Sequence, residues 1–120
     1  MGSLASILVA LVATLHAWFL VLEMFLWSKP LGLKTFGQSL EKARESAVLA
    51  ANQGLYNGFL AAGLIWGLIH PDPVFAFQIR VFFLTCVISA AVFGACTVSR
   101  RILFLQGLPA ILALILHFFA

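Results

Sequence analysis

The sequence predicts an all-α fold, an integral membrane four-helix bundle that occupies residues 1–120 as a single domain. Three observations point there. Of the 120 residues, 63% are hydrophobic and 9% charged, whereas a soluble domain carries about 25% charged residues. No water-soluble core of this length hides so much apolar surface. Four apolar runs fall at about 4–27, 46–69, 74–98 and 102–120, each near the roughly 20 residues that cross a bilayer. Six of the seven Lys and Arg residues gather in two of the three connections, as orientation by positive charge requires. The net charge of +3 belongs to those loops and forms no basic stripe with interleaved aromatics, so nucleic acid is excluded as a partner. Cys86 and Cys96 lie in one run, roughly 15 Å apart if helical, too far to bridge. Neither sits in zinc-ligand spacing, so both are read as small apolar residues, and no metal or cofactor is expected.

The first run is apolar like a signal peptide but too long for a leader's apolar region. It lacks a basic start and holds Glu23, so it reads as a retained span. His16 and Glu23 are seven apart and share a helix face. Trp27 suits an interfacial anchor. In the connection SKPLGLKTFGQSLEKAR, from Ser28 to Arg44, Pro30, Gly32 and Gly37 break the helix. Ser39 stands where it would cap a helix beginning at Leu40, and Leu31, Leu33 and Phe36 would lay the connection on the membrane surface. The second span ends in the turn His70-Pro71-Asp72-Pro73. Arg80, in the second turn of the third span, is expected to snorkel outward or pair with Asp72. The short connection Ser99-Arg100-Arg101 makes spans three and four an antiparallel hairpin. Pro109 denies the fourth span its hydrogen bond to the Leu105 carbonyl, and His117 is expected at the interface. Loops one and three would be cytoplasmic, with both termini outside the plasma (inner) membrane.

The second span mixes polar and small residues. At roughly 100° per residue, Glu45, Asn52, Tyr56, Gly63 and His70 fall near one line, flanked on one side by Gln53 and Asn57. Ala51, Gly54, Gly58, Ala61 and Ala62 fall on a roughly opposite arc, suited to close backbone approach. Whether that backbone belongs to this chain or to a second copy, in a homo-oligomer packed through Gly54, Gly58 and Ala62, stays open. Glu23, Asn52, Gln53 and Gln106 all lie roughly 6–11 Å below the cytoplasmic surface at 1.5 Å per residue, with Tyr56, Asn57 and His16 deeper. Polar groups in lipid are costly and are expected to point inward. Glu23, Tyr56 and His16 are therefore the candidate acid/base residues. Asn52, Gln53, Asn57, Gln106, Arg100 and Arg101 are the candidate ligand contacts. Each has a plainer reading. Glu23 would pair with a loop lysine, the amides would be interhelical glue worth about 0.6–2 kcal/mol each, His16 would be packed, and Arg100 and Arg101 would only set topology.

The segments LEMFLW (Leu22 to Trp27), LAANQGLYNGFLAAGLIWG (Leu49 to Gly67) and QGLPA (Gln106 to Ala110) resemble an uncharacterised family of small four-span membrane proteins, a domain of unknown function. The resemblance covers nearly the whole chain and implies the architecture without an activity. Arg44, Asn52 and Tyr56 are similar in kind to the second helix of the membrane-associated proteins in eicosanoid and glutathione metabolism. Leu55 stands where that family's glutathione-contacting Glu belongs, so only the four-span architecture is implied. Glu23, with Trp18 and Trp66, is similar in kind to the essential acid and aromatics of the small multidrug transporters.

The leading functional reading is a polar pocket near the cytoplasmic leaflet that binds a lipophilic small molecule, with acid/base conversion at Glu23 open. The competing readings are a proton-coupled exporter using Glu23 and a non-catalytic packing or assembly protein. The expected partners are membrane lipids and the lipophilic ligand.

Overall fold

Helix α1 (Ser3–Met24) and helix α3 (Leu40–Ile69) form from runs without an internal proline. The structure, a computed structural model, describes residues 2–98 and 100–119. Ser99, in the expected third connection, and Ala120, at the expected end of the fourth span, lie outside the described residues. Among those described, every regular element is helical. The first connection is not wholly irregular, because Pro30 opens a short helix, α2 (Pro30–Phe36). Proline is tolerated there, since a first-turn N–H has no helical partner to lose. Gly37 ends α2 in the left-handed conformation, φ 62°, with its N–H bonded to the Leu33 carbonyl. Ser39 Oγ then accepts from the Lys42 N–H at 3.2 Å, the cap expected for a helix beginning at Leu40. Asp72 caps α4 (Pro73–Thr97), accepting from the Val74 and Phe75 N–H groups at 2.8 and 3.1 Å.

The last helical stretch is α5 (Arg100–Ile102), a π-helical turn (Leu103–Gly107) and α6 (Leu108–Phe119). In the wide turn the Leu108 N–H reaches back five residues to the Leu103 carbonyl. A regular helix would drive the Pro109 ring against the Leu105 carbonyl. The π-turn takes the place of the expected simple interruption, and such turns are an established way of absorbing a break in the ladder.

The chain divides into two compact units, residues 16–59 and residues 1–15 with 60–120. In the larger unit four helices share one core: Val9, Val12 and Ala13 from α1, Leu64 from α3, Leu84 and Val87 from α4, and Ala110 and Ala113 from α6. The hairpin expected of the last two spans is present, antiparallel, with Gly94 against Ile102 and Gly107 against Ala91. A side chain on Gly63 would strike the Phe83 ring, and one on Gly67 would meet the Arg80 backbone nitrogen at 3.1 Å. In the smaller unit α3 lies against α1 in the same way. A Cβ on Gly54 would meet Met24 Cγ at 2.7 Å, Glu23 Cβ at 3.1 Å and the Leu20 carbonyl oxygen at 3.3 Å. One on Gly58 would meet Leu20 Cδ1 at 2.6 Å. Gly54 and Gly58 thus face α1 of the same chain, while Ala62 is exposed.

Three helices, α1, α4 and the stretch Arg100–Phe119, are long and apolar enough to cross a membrane. At about 1.5 Å per residue the 22 residues of α1 match a hydrocarbon core about 30 Å thick. Large apolar side chains such as Phe82, Phe93 and Phe104 are exposed on these helices, as lipid contact allows. The exposed hydroxyls of Thr85, Ser89 and Thr97 each donate to the carbonyl four residues earlier, at 2.7–2.8 Å, so none of these three donors is left unsatisfied toward lipid. The chain is an all-α integral membrane protein. Helix α3 is longer, with 30 residues, but Asn52, Gln53 and Asn57 interrupt its apolar run.

These contacts rank substitutions on α3. Gly54→Leu pushes into backbone and a Cβ, and should cost about 1–3 kcal/mol or more. Gly58→Leu meets only the mobile end of Leu20 and should cost less. Ala62→Leu, exposed, should stay within about 0.5 kcal/mol. Thermal unfolding of the three variants in detergent, followed by circular dichroism, checks the order. Equal melting temperatures would mean that α1 does not pack on this face.

Candidate functional site

The buried residues in the first two thirds of α3 are Ala43, Ala50, Gly54 and Asn57, spaced by seven, four and three, one helix face. Small residues dominate because α1 approaches there. This reverses the expected inward direction of the polar line. Asn52 and Tyr56, on that line, are exposed, and so is Gln53 at its edge. Of the flanking amides only Asn57, on the side nearer the small arc, turns inward.

What Asn57 meets there is Glu23. Glu23 is 4% exposed and Asn57 7%, and the Asn57 Nδ2–H donates to Glu23 Oε1. Gln53, one turn earlier on α3, also hydrogen-bonds the Glu23 carboxyl through its side chain. The carboxyl therefore lies between α1 and α3, held by two neutral amides on successive turns. Gly54, between them in sequence, lets the Glu23 Cβ come close. Glu23 does not snorkel, and it does not pair with a loop lysine in place of these amides. The plainer reading fails because α1 ends at Met24 while its side chain at 23 points back along the helix, into the contact with α3.

His16 is fully buried, two turns before Glu23 on the same face, and packs edge-on against Phe19 at 5.5 Å. Tyr56 packs edge-on against Phe59 at 5.6 Å on the exposed side of α3. Below the carboxyl, Trp27 Nε1–H donates to Ser46 Oγ at 3.1 Å and its ring lies 4.8 Å from Phe36, so the residue expected as an anchor also ties α3 to α2. Gln106, half-buried in the π-turn, and the exposed Arg100 and Arg101 belong to the other unit. Of the expected site, the structure brings together Glu23, Asn57 and Gln53.

Two residues read differently from the sequence lie in the larger unit. Arg80 neither snorkels nor pairs with Asp72, and it is 7% exposed. Its Nε–H donates to His117 Nε2 and its Nη1 to the Gly67 carbonyl, both at 2.8 Å. His117 is correspondingly half-buried, an acceptor for Arg80 as well as a residue near the helix end. Asp72 is unavailable to Arg80 in the expected way because its carboxylate is engaged as the cap of α4. The signal was present in the hairpin itself. Arg80 lies 18 residues before Val98 and His117 lies 17 after Arg100, so an antiparallel pair of helices sets them side by side.

A double-mutant cycle tests the Glu23–Asn57 contact. Asn57→Leu removes the donor and leaves a buried acceptor, which should cost about 1–3 kcal/mol. Glu23→Gln keeps an acceptor for Asn57 and should cost less. The two together should depart from additivity by at least about 0.5 kcal/mol in detergent unfolding, and simple additivity would refute the bond.

Residues 10–118 match the family model described as "Protein of unknown function (DUF1304)". A relative in Lactococcus lactis subsp. lactis (strain IL1403), the uncharacterized protein YpaA, is 35% identical over 121 residues, covering 99% of this chain and 100% of the relative. No solved structure matches the chain.

Proposed function

We propose, for a chain that belongs to the family of proteins of unknown function DUF1304, a membrane-embedded site that binds a lipophilic small molecule at Glu23. The observation that carries the reading is the buried Glu23 carboxyl, hydrogen-bonded by Asn57 and by Gln53, a residue that is itself exposed. Ionisable residues inside a membrane span are expensive and mark functional sites more often than structural ones. The two amides are neutral and fixed, so protonation of the carboxyl decides whether the site presents an acid or an anion. Asn52 and Tyr56, exposed on the same helix, would form the polar approach. A lipophilic cation would exchange places with the carboxyl proton, which leaves for the solvent, and acid/base conversion of a ligand held there is the extension of the same step. His16, two turns away, is the candidate second group.

In this reading α3 is the fourth span. Its 30 residues reach about 45 Å at 1.5 Å per residue, enough to carry the charged turns at Glu41 to Glu45 clear of the bilayer. Lys29, Lys34, Lys42, Arg44, Arg100 and Arg101 then lie on the cytoplasmic side of a plasma membrane, and both termini lie outside. A reporter in the Lys29–Gly37 segment should be cytoplasmic and one fused after Ala120 external. The reverse result would place the Glu23 site near the outer leaflet.

Ligand exchange is tested with a lipophilic cation, tetraphenylphosphonium, added to the purified chain in weakly buffered detergent. Wild type should release protons on binding, up to one per chain, and Glu23→Gln should release none while keeping its fold. The exporter reading adds a demand, accumulation of the cation in proteoliposomes driven by a pH gradient. Binding with proton release but no accumulation favours a binding or converting site. Absence of both leaves the packing reading, in which Glu23 and Asn57 only join α1 to α3.

A further inference from the structure

Arg80 and Glu23 are the charged side chains buried among the described residues, and Arg80 has no part in the site above. Its environment is built around it. Gly67 lacks the side chain that would meet Arg80 Cγ at 2.5 Å, and its carbonyl accepts from Nη1. His117 Nε2 accepts from Nε–H, so that nitrogen offers a lone pair and bears no proton. The ring proton is then on Nδ1, which lies 2.7 Å from the Ala113 carbonyl and donates to it. Both partners of the guanidinium are neutral.

A guanidinium has five N–H donors in a planar fork, and these two bonds use two. In the unit of residues 1–15 and 60–120 the one side-chain carboxylate is Asp72, and its oxygen is engaged by the α4 backbone. Arg80 is seven residues into α4, about 10 Å along the helix at 1.5 Å per residue. A buried cation with neutral partners only is costly, and an oxyanion on the remaining edge of the fork removes that cost by charge-assisted, bidentate hydrogen bonds. Beside His117 the wall turns aromatic. The Phe77 ring lies 6.0 Å from His117 and perpendicular to Phe118 at 5.7 Å.

We infer that Arg80, positioned by His117 and Gly67, is the binding site for the oxyanion head of an anionic amphiphile whose apolar tail runs along Phe77 and Phe118. The shared chemistry is a phosphate or carboxylate group on a hydrocarbon chain, supplied either by a membrane phospholipid or by a free long-chain acid. Arg80 supplies charge and fork geometry. His117, as the neutral acceptor of Nε–H, fixes the plane of the guanidinium.

The full-length chain in neutral detergent, titrated separately with phosphatidylglycerol, oleate and phosphatidylcholine and read by native mass spectrometry, tests this. At least one of the two anionic probes should bind about tenfold tighter than phosphatidylcholine, the equivalent of one charge-assisted hydrogen bond. Preference for phosphatidylglycerol alone assigns a lipid phosphate, for oleate alone a free acid, and for both the common oxyanion. Arg80→Gln should erase the preference. Arg80→Lys keeps the charge without the fork and should lose most of it, and it serves as the deciding variant should Arg80→Gln not fold. Equal binding of all three probes by the wild type, or an anionic preference unchanged in Arg80→Lys, overturns the inference.

Discussion

Close approach to α3 is the constraint on which the rest of the molecule depends. Lipid offers helices no hydrophobic reason to associate, so they must gain contact by fit. Two glycine pairs on α3 provide it. Gly54 and Gly58 admit α1, and Gly63 and Gly67 admit Phe83 and Arg80 of α4. Both buried charges are reached through these contacts. Glu23 meets Asn57 because Gly54 lets its Cβ come near, and Arg80 meets the Gly67 carbonyl because that residue has no side chain to hold the guanidinium away. The same omission of atoms that allows packing creates the polar centres.

The two centres solve the problem of a buried charge with different chemistry. A carboxyl has a neutral form, so neutral amides are sufficient company for Glu23. Arginine does not lose its proton in proteins. Arg80 therefore accumulates acceptors, the Gly67 carbonyl and the His117 ring, and the histidine is fixed in one tautomer to serve.

Much of this was legible in the chain. Helical class, the Ser39 cap, the hairpin of the last two spans and the inward placing of Glu23 and Asn57 follow from apolar run length, spacing and the cost of polar residues in lipid. The facing of α3 did not. A helical wheel shows that Asn52 and Tyr56 differ from Gly54 and Gly58, but not which side a neighbour will take. Polarity argued for one side and fit for the other, and fit prevailed. Arg80 was misread because a basic residue near a helix end usually reaches for water. Its partner, His117, lies far along the sequence and becomes a neighbour only when the hairpin register is laid out. The π-turn was foreshadowed by Pro109, although a proline alone does not say whether a helix will bend, break or widen.

That wide turn acts as a screw dislocation in the final helix. One surplus residue is wound into Leu103–Gly107, so the angular phase of everything after it slips by about one residue, or 100°, relative to an unbroken α-helix. Ala110 and Ala113 in the core, and His117 beyond them, occupy their faces only with that slip in place. The orientation of the far end of the helix is thus decided three to fourteen residues upstream, in a turn that packs on α4 where Gly107 meets Ala91. A single-residue deletion within the turn would leave composition and length nearly unaltered, yet it would rotate an entire membrane helix about its own axis.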